Sequence, residues 1–311
     1  MTRAVTAPRP SALQTRASLA EYRPTWSQAI ARVTRHEDYG AGHRWLDLEV
    51  SSGMTVPVAG QFVQLLLVAP SPVLLPRPMS IADAKLTRGR LTLSFLYAPV
   101  GTGTQSLAAL GPGDAIELLG PLGRGYPLEE SGTPVLIAGG RGVAPLLFAA
   151  DALAAQSRPC VFLFGARTRE LLVGLDDAKR RLSKSGSELH LATDDGSRGT
   201  RGNVLLLLER LRRTHPGPLV IHSCGPHRML EAVARWALTH GRRAHLAMES
   251  VMACGTGVCR GCPMPRSEES RRRFDRERGT SPSLYGNQEY AMCCTEGPVF
   301  AAADLDWDRV E

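Results

Sequence analysis

Five of the seven cysteines of this 311-residue chain crowd into its last fifth, and three of them are spaced as metal ligands are. Cys254 is followed after four residues by Cys259 and after two more by Cys262, with Cys293 and Cys294 much further on. A C-x4-C-x2-C run with a distant fourth cysteine is the order of thiolates that holds a 2Fe-2S cluster, where four thiolates complete two iron tetrahedra and offset ferric charge. Gly255, Gly257 and Gly261 lie between these positions, where a chain wrapping a cluster needs positive φ and backbone N–H groups free to face sulfur. A structural zinc ion is the alternative, but zinc ribbons use paired C-x2-C knuckles, which the x4-then-x2 loop fits poorly. Spacing alone does not choose between the adjacent Cys293 and Cys294.

Four further stretches point to chemistry. Arg77-Pro78-Met79-Ser80 follows an apolar run and a Pro-bounded turn, and offers a cation for a diphosphate and a hydroxyl for a flavin ring atom. Gly101-Thr102-Gly103-Thr104 places small residues, whose N–H groups can approach phosphate oxygens, ahead of a short helix over 105–110. Taken singly, either stretch is equally an ordinary turn. The apolar run 135–138 leads into Gly139-Gly140-Arg141-Gly142-Val143-Ala144-Pro145, a strand, glycine loop and helix of the kind that cradles a pyrophosphate. It lacks the G-x-G-x-x-G spacing, and a tight ligand-free βα turn is the alternative. Ser223-Cys224-Gly225-Pro226 closes a strand and opens a helix, at the carboxyl edge where open α/β sheets bind ligands. Cys224 is there expected to touch a nicotinamide, a small core hydrophobe being the other reading.

The elements that must position these groups divide the chain. Between 25 and 128, short β-type runs over 44–50, 62–68, 91–97 and 115–119 are broken by Gly and Pro, which predicts a small antiparallel β-barrel or sandwich. Between 129 and 244, apolar runs alternate with helical segments over 144–155, 204–213 and 227–240, which predicts βαβ units and an α/β parallel sheet. From 245 to 311 the sequence turns Gly- and Cys-rich with little periodicity, as in a small module organised by a metal centre. Residues 1–24, with four Arg and three Pro, read as a disordered tail. The expected fold class is therefore multidomain: barrel, α/β domain and C-terminal iron-sulfur module.

Composition narrows the function. No apolar run approaches the roughly 20 residues that span a bilayer, so no membrane is expected. The net charge of +7 is scattered, and its one dense run, Arg271 to Arg273, is interleaved with Glu268, Glu269, Asp275 and Glu277, as in a solvated loop rather than a nucleic-acid site. The chain shows no export signal, so its thiols are expected to be reduced and its location cytoplasmic.

The motifs stand in a fixed order that resembles the ferredoxin-NADP reductase superfamily: an FAD barrel with Arg-x-x-Ser, a nucleotide domain with a Gly-Gly-x-Gly loop, then Cys-Gly-Pro. Within it, Met252 to Cys262 together with Gly297-Pro298-Val299-Phe300 resembles the electron-transfer subunits of dihydroorotate dehydrogenase B over roughly residues 26–308. The resemblance implies FAD contacts at Arg77, Pro78, Met79, Ser80, Leu96, Tyr97, Ala98, Gly103 and Thr104, with catalytic positions at Ser80 and Cys224. It implies NAD contacts at Gly139, Gly140, Gly142, Gly225 and Pro226, and cluster ligands at Cys254, Cys259, Cys262 and Cys294. It also implies a role in pyrimidine biosynthesis: electrons arrive from a separate FMN-containing dihydroorotate dehydrogenase catalytic subunit, in a heterotetramer, and pass singly through the 2Fe-2S cluster and FAD to NAD+. The alternative is the small subunit of another iron-sulfur flavoprotein, of the ferredoxin or sulfide dehydrogenase type. The sequence departs from the pattern at Ala98, commonly an Arg, at Arg141, usually aliphatic, and in the thirty-one residues, 263–293, between Cys262 and Cys294.

Overall fold

A computed structural model describes residues 26–51, 53–68, 73–278 and 289–310; the expected tail, 1–24, lies outside them. The first sheet contains β1 (Ser27–Gly40), β2 (His43–Val50), β3 (Phe62–Leu67), β4 (Arg77–Ser80), β5 (Asp83–Thr87), β6 (Arg90–Tyr97) and β7 (Ala115–Leu122). They are antiparallel in the order β4-β3-β7-β1-β2-β6-β5. Alternation along the strands turns Ala29, Ala31 and Val33 of β1, and Leu91, Leu93, Phe95 and Tyr97 of β6, onto one buried face with Leu46, Leu48, Val63, Leu65, Ile116 and Leu118. The helix α1 (Thr102–Ala108) closes one end through Leu107.

The expected barrel is a curled sheet, left open between its edge strands β4 and β5, which only Ile81 and Ala82 separate in the chain. Pro78 explains the open seam: it has no N–H to give a second neighbour, which confines β4 to an edge. Ile81 and Ala82 instead donate to the Gln61 carbonyl at 3.3 Å and the Ser94 carbonyl at 2.8 Å.

The second sheet follows the predicted alternation: β8 (Thr133–Gly139), α2 (Val143–Ala155), β9 (Val161–Ala166), α3 (Leu175–Leu182), β10 (Glu188–Thr193), β11 (Thr200–Arg201), α4 (Val204–Thr214), β12 (Leu219–Cys224), α5 (His227–Thr239) and β13 (Arg243–Ala247). With the later strand β16 (Val299–Ala301), its order is β11-β10-β9-β8-β12-β13-β16. All pairings are parallel except β13 with β16, so the sheet is mixed rather than purely parallel. The chain runs outward from β8 in one direction and from β12 in the other, which makes the β8–β12 gap the point where strand order reverses.

The C-terminal segment adds a two-stranded ladder, β14 (Pro263–Pro265) with β15 (Tyr290–Met292), and the helix α6 (Glu268–Arg278). The expected solvated loop around Arg271 to Arg273 is therefore helical. Ser267 Oγ accepts the Ser270 N–H at 3.1 Å, Glu268 and Glu269 sit on the positive end of the helix dipole, and Glu268 pairs with Arg272 one turn on. Arg266, buried, reaches Glu296 and lies 4.7 Å from the centre of the Phe274 ring. Among the described residues no helix is long and apolar enough to cross a membrane.

The connection between the sheets is pinned rather than loose. The buried Tyr126 donates its hydroxyl to the Ser223 carbonyl on β12 at 3.1 Å and meets His222 edge-on at 5.5 Å. His222 stacks on His245 at 5.5 Å, and His245 lies 3.0 Å from Glu130. Burial, aided by the neighbouring His245, Arg158 and Arg243, lowers the His222 pKa to about 3. Between the unfolded value near 6.5 and the folded value, the unfolded chain binds the extra proton, so stability falls as pH falls through that window. We expect this group alone to cost about 2 kcal/mol between pH 7 and pH 5. Urea unfolding of His222→Gln should show a shallower acid loss than wild type, and superimposable pH profiles would contradict the account.

Candidate functional site

The flavin-type motif assembles where β4 passes the start of α1. A Cβ at Gly103 would overlap the Arg77 guanidinium, so the two stretches meet in space and a larger residue there would push the arginine side chain aside. Thr104 holds the turn, its hydroxyl accepting the N–H groups of Val100 and Gly101 at 3.0 and 3.1 Å. The register pairs Phe62 with Ser80 and Gln64 with Pro78, so Ser80 and Pro78 share a sheet face with Phe62 and Gln64, while Arg77 and Met79 point the other way. Ser80 is exposed.

The Leu96-Tyr97-Ala98 stretch is split by the pleat. Leu96 packs towards α2, whereas Tyr97 lies in the core of the first sheet with its hydroxyl 2.8 Å from His36 Nε2. His36 Nδ1 donates to the Leu110 carbonyl at 2.7 Å, which leaves Nε2 to accept the phenol proton. Burial raises the Tyr97 pKa. Ala98 uses its carbonyl in a tight turn to the Val100 N–H at 2.9 Å and brings no charge beside Arg77.

The two glycine stretches of the second sheet also meet. Ala138 on β8 is in register with Cys224 on β12, so Gly139 to Gly142 and Cys224 to Pro226 leave the sheet side by side where strand order reverses. A Cβ at Gly142 would collide with the Cys224–Gly225 backbone, one at Gly139 with Met229 and Pro226, and one at Gly225 with Met229 and Gly139. Gly140 has φ +51°. Burial, with the carboxylate of Glu249 adding to it, pushes the Cys224 thiol up to about 12, so it is a neutral thiol at physiological pH. Sequence reasoning missed Glu249; the signal was its place just beyond β13, at the same carboxyl edge as Cys224. Arg167 and Arg169, exposed at the end of β9, stand apart, and Arg169 pairs with Glu170 at 3.2 Å. A cleft of about 600 Å³, lined by Arg35, Asp83, Arg169, Glu170 and Arg181 among others, lies away from both glycine stretches and the flavin-type motif.

The thiols form two pairs. The N–H groups of Thr256 and Cys259 both donate to Cys254 Sγ at 3.4 Å, and the Cys294 N–H donates to Cys262 Sγ at 3.4 Å. Gly261 donates likewise to Cys259 Sγ. Gly255 and Gly257, at φ +74° and +83°, turn the loop so that these N–H groups face inward. Cys293 is directed elsewhere: its thiol donates to the Met248 carbonyl at 3.8 Å, and burial pushes it up to about 12. Among the described residues no three His, Cys, Asp or Glu converge as on a single ion. The long interval before Cys294 does not part the second pair, because β14 and β15 return the chain to its origin and the Cys293 N–H donates to the Cys262 carbonyl at 2.8 Å.

The thiol loop lies on the flavin-motif face of the first sheet. A Cβ at Gly255 would strike Gln64 and Leu122, and Phe62 and Leu122 share an apolar cluster with Cys262, Cys294 and Met252. Gln64 was not singled out from sequence, since one amide in an apolar strand has no pattern to mark it.

Residues 136–235 match the family model of the oxidoreductase NAD-binding domain. The electron transfer subunit of dihydroorotate dehydrogenase B (NAD+) from Bacillus caldolyticus is 33% identical over 251 residues, which cover 79% of this chain and 86% of that one. The subunit of the same name from Listeria monocytogenes is 32% identical over 249 residues, with the same coverage. Among solved structures, a chain of the NADH-dependent reduced ferredoxin-NADP oxidoreductase superposes with a TM-score of 0.71 at 24% identity, covering 91% of each chain. The FAD/NAD-binding domain of a Vibrio cholerae nitric oxide dioxygenase gives 0.59 at 18% identity, covering 69% of this chain and 94% of that one.

Two outcomes follow from the site's packing. Gly142→Ala should cost roughly 1–3 kcal/mol in urea unfolding, because its Cβ has only main chain to displace; an unchanged midpoint would contradict the close approach. Cys224 should stay unalkylated by iodoacetamide at pH 8, read by mass spectrometry of its peptide.

Proposed function

The chain belongs to the family of dihydroorotate dehydrogenase B (NAD+) electron-transfer subunits, and we propose that it relays electrons from a separate FMN-containing dihydroorotate-oxidising subunit to NAD+ by way of a 2Fe-2S cluster and FAD. It is an oxidoreductase subunit with the ferredoxin reductase-like pairing of a curled antiparallel sheet and a mixed, mainly parallel one. The observation that carries the reading is the convergence of the thiol loop on the sheet face that bears Pro78 and Ser80.

In this reading residues 25–128 hold FAD, 129–244 hold NAD and 245–311 hold the cluster. Arg77, in its glycine notch, binds a diphosphate through charge-assisted hydrogen bonds. Pro78, Met79 and Ser80 line the flavin, with Ser80 donating to its ring, while Leu96, Tyr97, Ala98 and Thr104 shape the site around them. The space beside Gly139, Gly140, Gly142, Gly225 and Pro226 takes the dinucleotide, and the neutral Cys224 thiol offers a small contact to the nicotinamide without taking up a proton. Cys254, Cys259, Cys262 and Cys294 are the metal ligands, and the N–H donors to their sulfurs stabilise negative charge there. When bound, the flavin supplies both one- and two-electron chemistry and the cluster one-electron chemistry. The exposed Val251 and Val258, 86% and 83% accessible, flank the thiol loop beside the exposed Cys259, and this apolar rim is the docking surface for the FMN subunit.

Serine at Cys254, Cys259, Cys262 or Cys294 should abolish cluster iron and its visible absorption while FAD remains, whereas Cys293→Ser should keep both; iron retained in Cys294→Ser and lost in Cys293→Ser would reverse the ligand choice. Arg77→Ala should weaken FAD binding by about 1.5–3 kcal/mol. The subunit alone should reduce artificial acceptors with NADH but not oxidise dihydroorotate. Adding the FMN subunit should create dihydroorotate-dependent NAD+ reduction. Turnover of dihydroorotate by this chain alone, or no gain from the added subunit, would overturn the assignment in favour of a reductase for another acceptor.

A further inference from the structure

Tyr126 is buried in the connection between the sheets, and its two ends are fastened to different ones. Its N–H donates to the Ala59 carbonyl at 2.8 Å, and its ring lies against Gly60, whose φ of +98° and missing Cβ leave it room. Its hydroxyl donates at 3.1 Å to the carbonyl of Ser223 on β12, the residue before Cys224. Burial raises the phenol well above its ordinary value, so it remains a donor throughout the neutral range. From Ala59 the path to the flavin motif is short. Gln61, two residues on, accepts the Ile81 N–H at 3.3 Å, and Phe62 pairs with Ser80 in the β3–β4 register. A run of main-chain hydrogen bonds with one side chain in it thus leads from Ser80 to Cys224.

Both ends of this path serve one event. With Ser80 bordering the flavin ring and Cys224 the nicotinamide, a hydride passes between the two sheets: NADH, FAD and a proton give NAD+ and FADH2. Such a transfer needs the reacting atoms within roughly 3–3.5 Å, and a misplacement of about 1 Å costs about a hundredfold in rate. The gap between the two sheets at this edge is therefore a quantity the protein has to hold. Arg158 braces the connection just beyond Tyr126, donating to the carbonyls of Glu130 and Gly132 at 2.7 and 3.3 Å, so the tyrosine is carried on a fixed stretch of chain. We propose that Tyr126 is the positioning residue that sets the separation of the nicotinamide edge from the flavin motif, through its hydroxyl on the Ser223 carbonyl. This inference rests on the reading that residues 77–80 hold FAD and that the stretches 139–142 and 224–226 hold NAD.

The test is Tyr126→Phe, which removes the hydroxyl and keeps the ring that packs on Gly60, in the full-length chain reconstituted with FAD and cluster. The variant should hold FAD and iron at wild-type content and bind NADH within about twofold of wild type, while the stopped-flow rate at which NADH bleaches the flavin falls about tenfold. Reoxidation of dithionite-reduced flavin by ferricyanide, which needs no nicotinamide, should keep its wild-type rate. In the chain free of cofactors, amide exchange over 223–225 should be faster than in wild type. Gly60→Ala, whose Cβ presses on the Tyr126 main chain with the hydroxyl retained, should slow the same step, and it serves if the phenylalanine variant does not fold. Flavin reduction at the wild-type rate in the folded variant, slower reduction matched by an equal loss of NADH affinity, or unchanged amide exchange over 223–225 would overturn the inference and leave the cofactor reading intact. Failure of wild type to bind FAD, or of its flavin to be reduced by NADH, would instead bring down that reading.

Discussion

Among its described residues the C-terminal segment has, besides β16, a two-stranded ladder and one charged helix, too little structure to bury a core of its own, and its position therefore depends on apolar packing against both sheets. Cys262, Cys293, Cys294 and Met252 enter one continuous cluster with Phe62 and Leu122 of the first sheet and Ile221 and Leu246 of the second. The main chain reinforces this. Arg124 donates to the Gly297 carbonyl, the Pro298 carbonyl accepts the Met248 N–H at 2.8 Å, and β16 completes the second sheet. Whatever distance separates the thiols from the flavin motif is set by this packing, because Cys262 and Cys294 cannot shift without opening the cluster.

The two sheets are held to each other by polar contacts of a different character. Tyr126 ties the connection to β12, and on the far side the buried Arg181 of α3 reaches Asp83 of β5 at 3.2 Å and also Asp151 of α2. Buried ion pairs contribute little net stability, but they penalise any arrangement that leaves one partner alone. Together with the apolar cluster they give three separated attachments, enough to define the relative orientation of two rigid layers.

Much of this was legible in the sequence, and the limits have physical reasons. The alternation of apolar runs and helices announced the second sheet because each element there buries a continuous stretch, as β8 and α2 do. The first sheet's strands were equally clear, but closure depends on the hydrogen-bonding state of two short edges, and a single proline at 78 decides that. The thiol spacing pointed to a set of four thiolates without separating Cys293 from Cys294, whose contacts differ: the Cys293 thiol meets the Met248 carbonyl and the Cys294 N–H meets the Cys262 sulfur. Charge interleaving around Arg271 suited a solvated loop as well as a helix, and the Ser267 cap with the buried Arg266 anchor tips it to the helix. Gln64 and Glu249 escaped notice because their significance lies in neighbours far off in sequence.

The β14–β15 ladder brings the chain back, after α6, to the residue it left from, with Pro263 opposite Met292. A detour whose two ends are fastened together is insulated from what it encloses: extending a closed loop adds little entropy cost per residue and moves neither stem. The interval between Cys262 and Cys294 can thus change in length without moving either cysteine, and a reporter domain spliced into it would leave the fastened ends where they are.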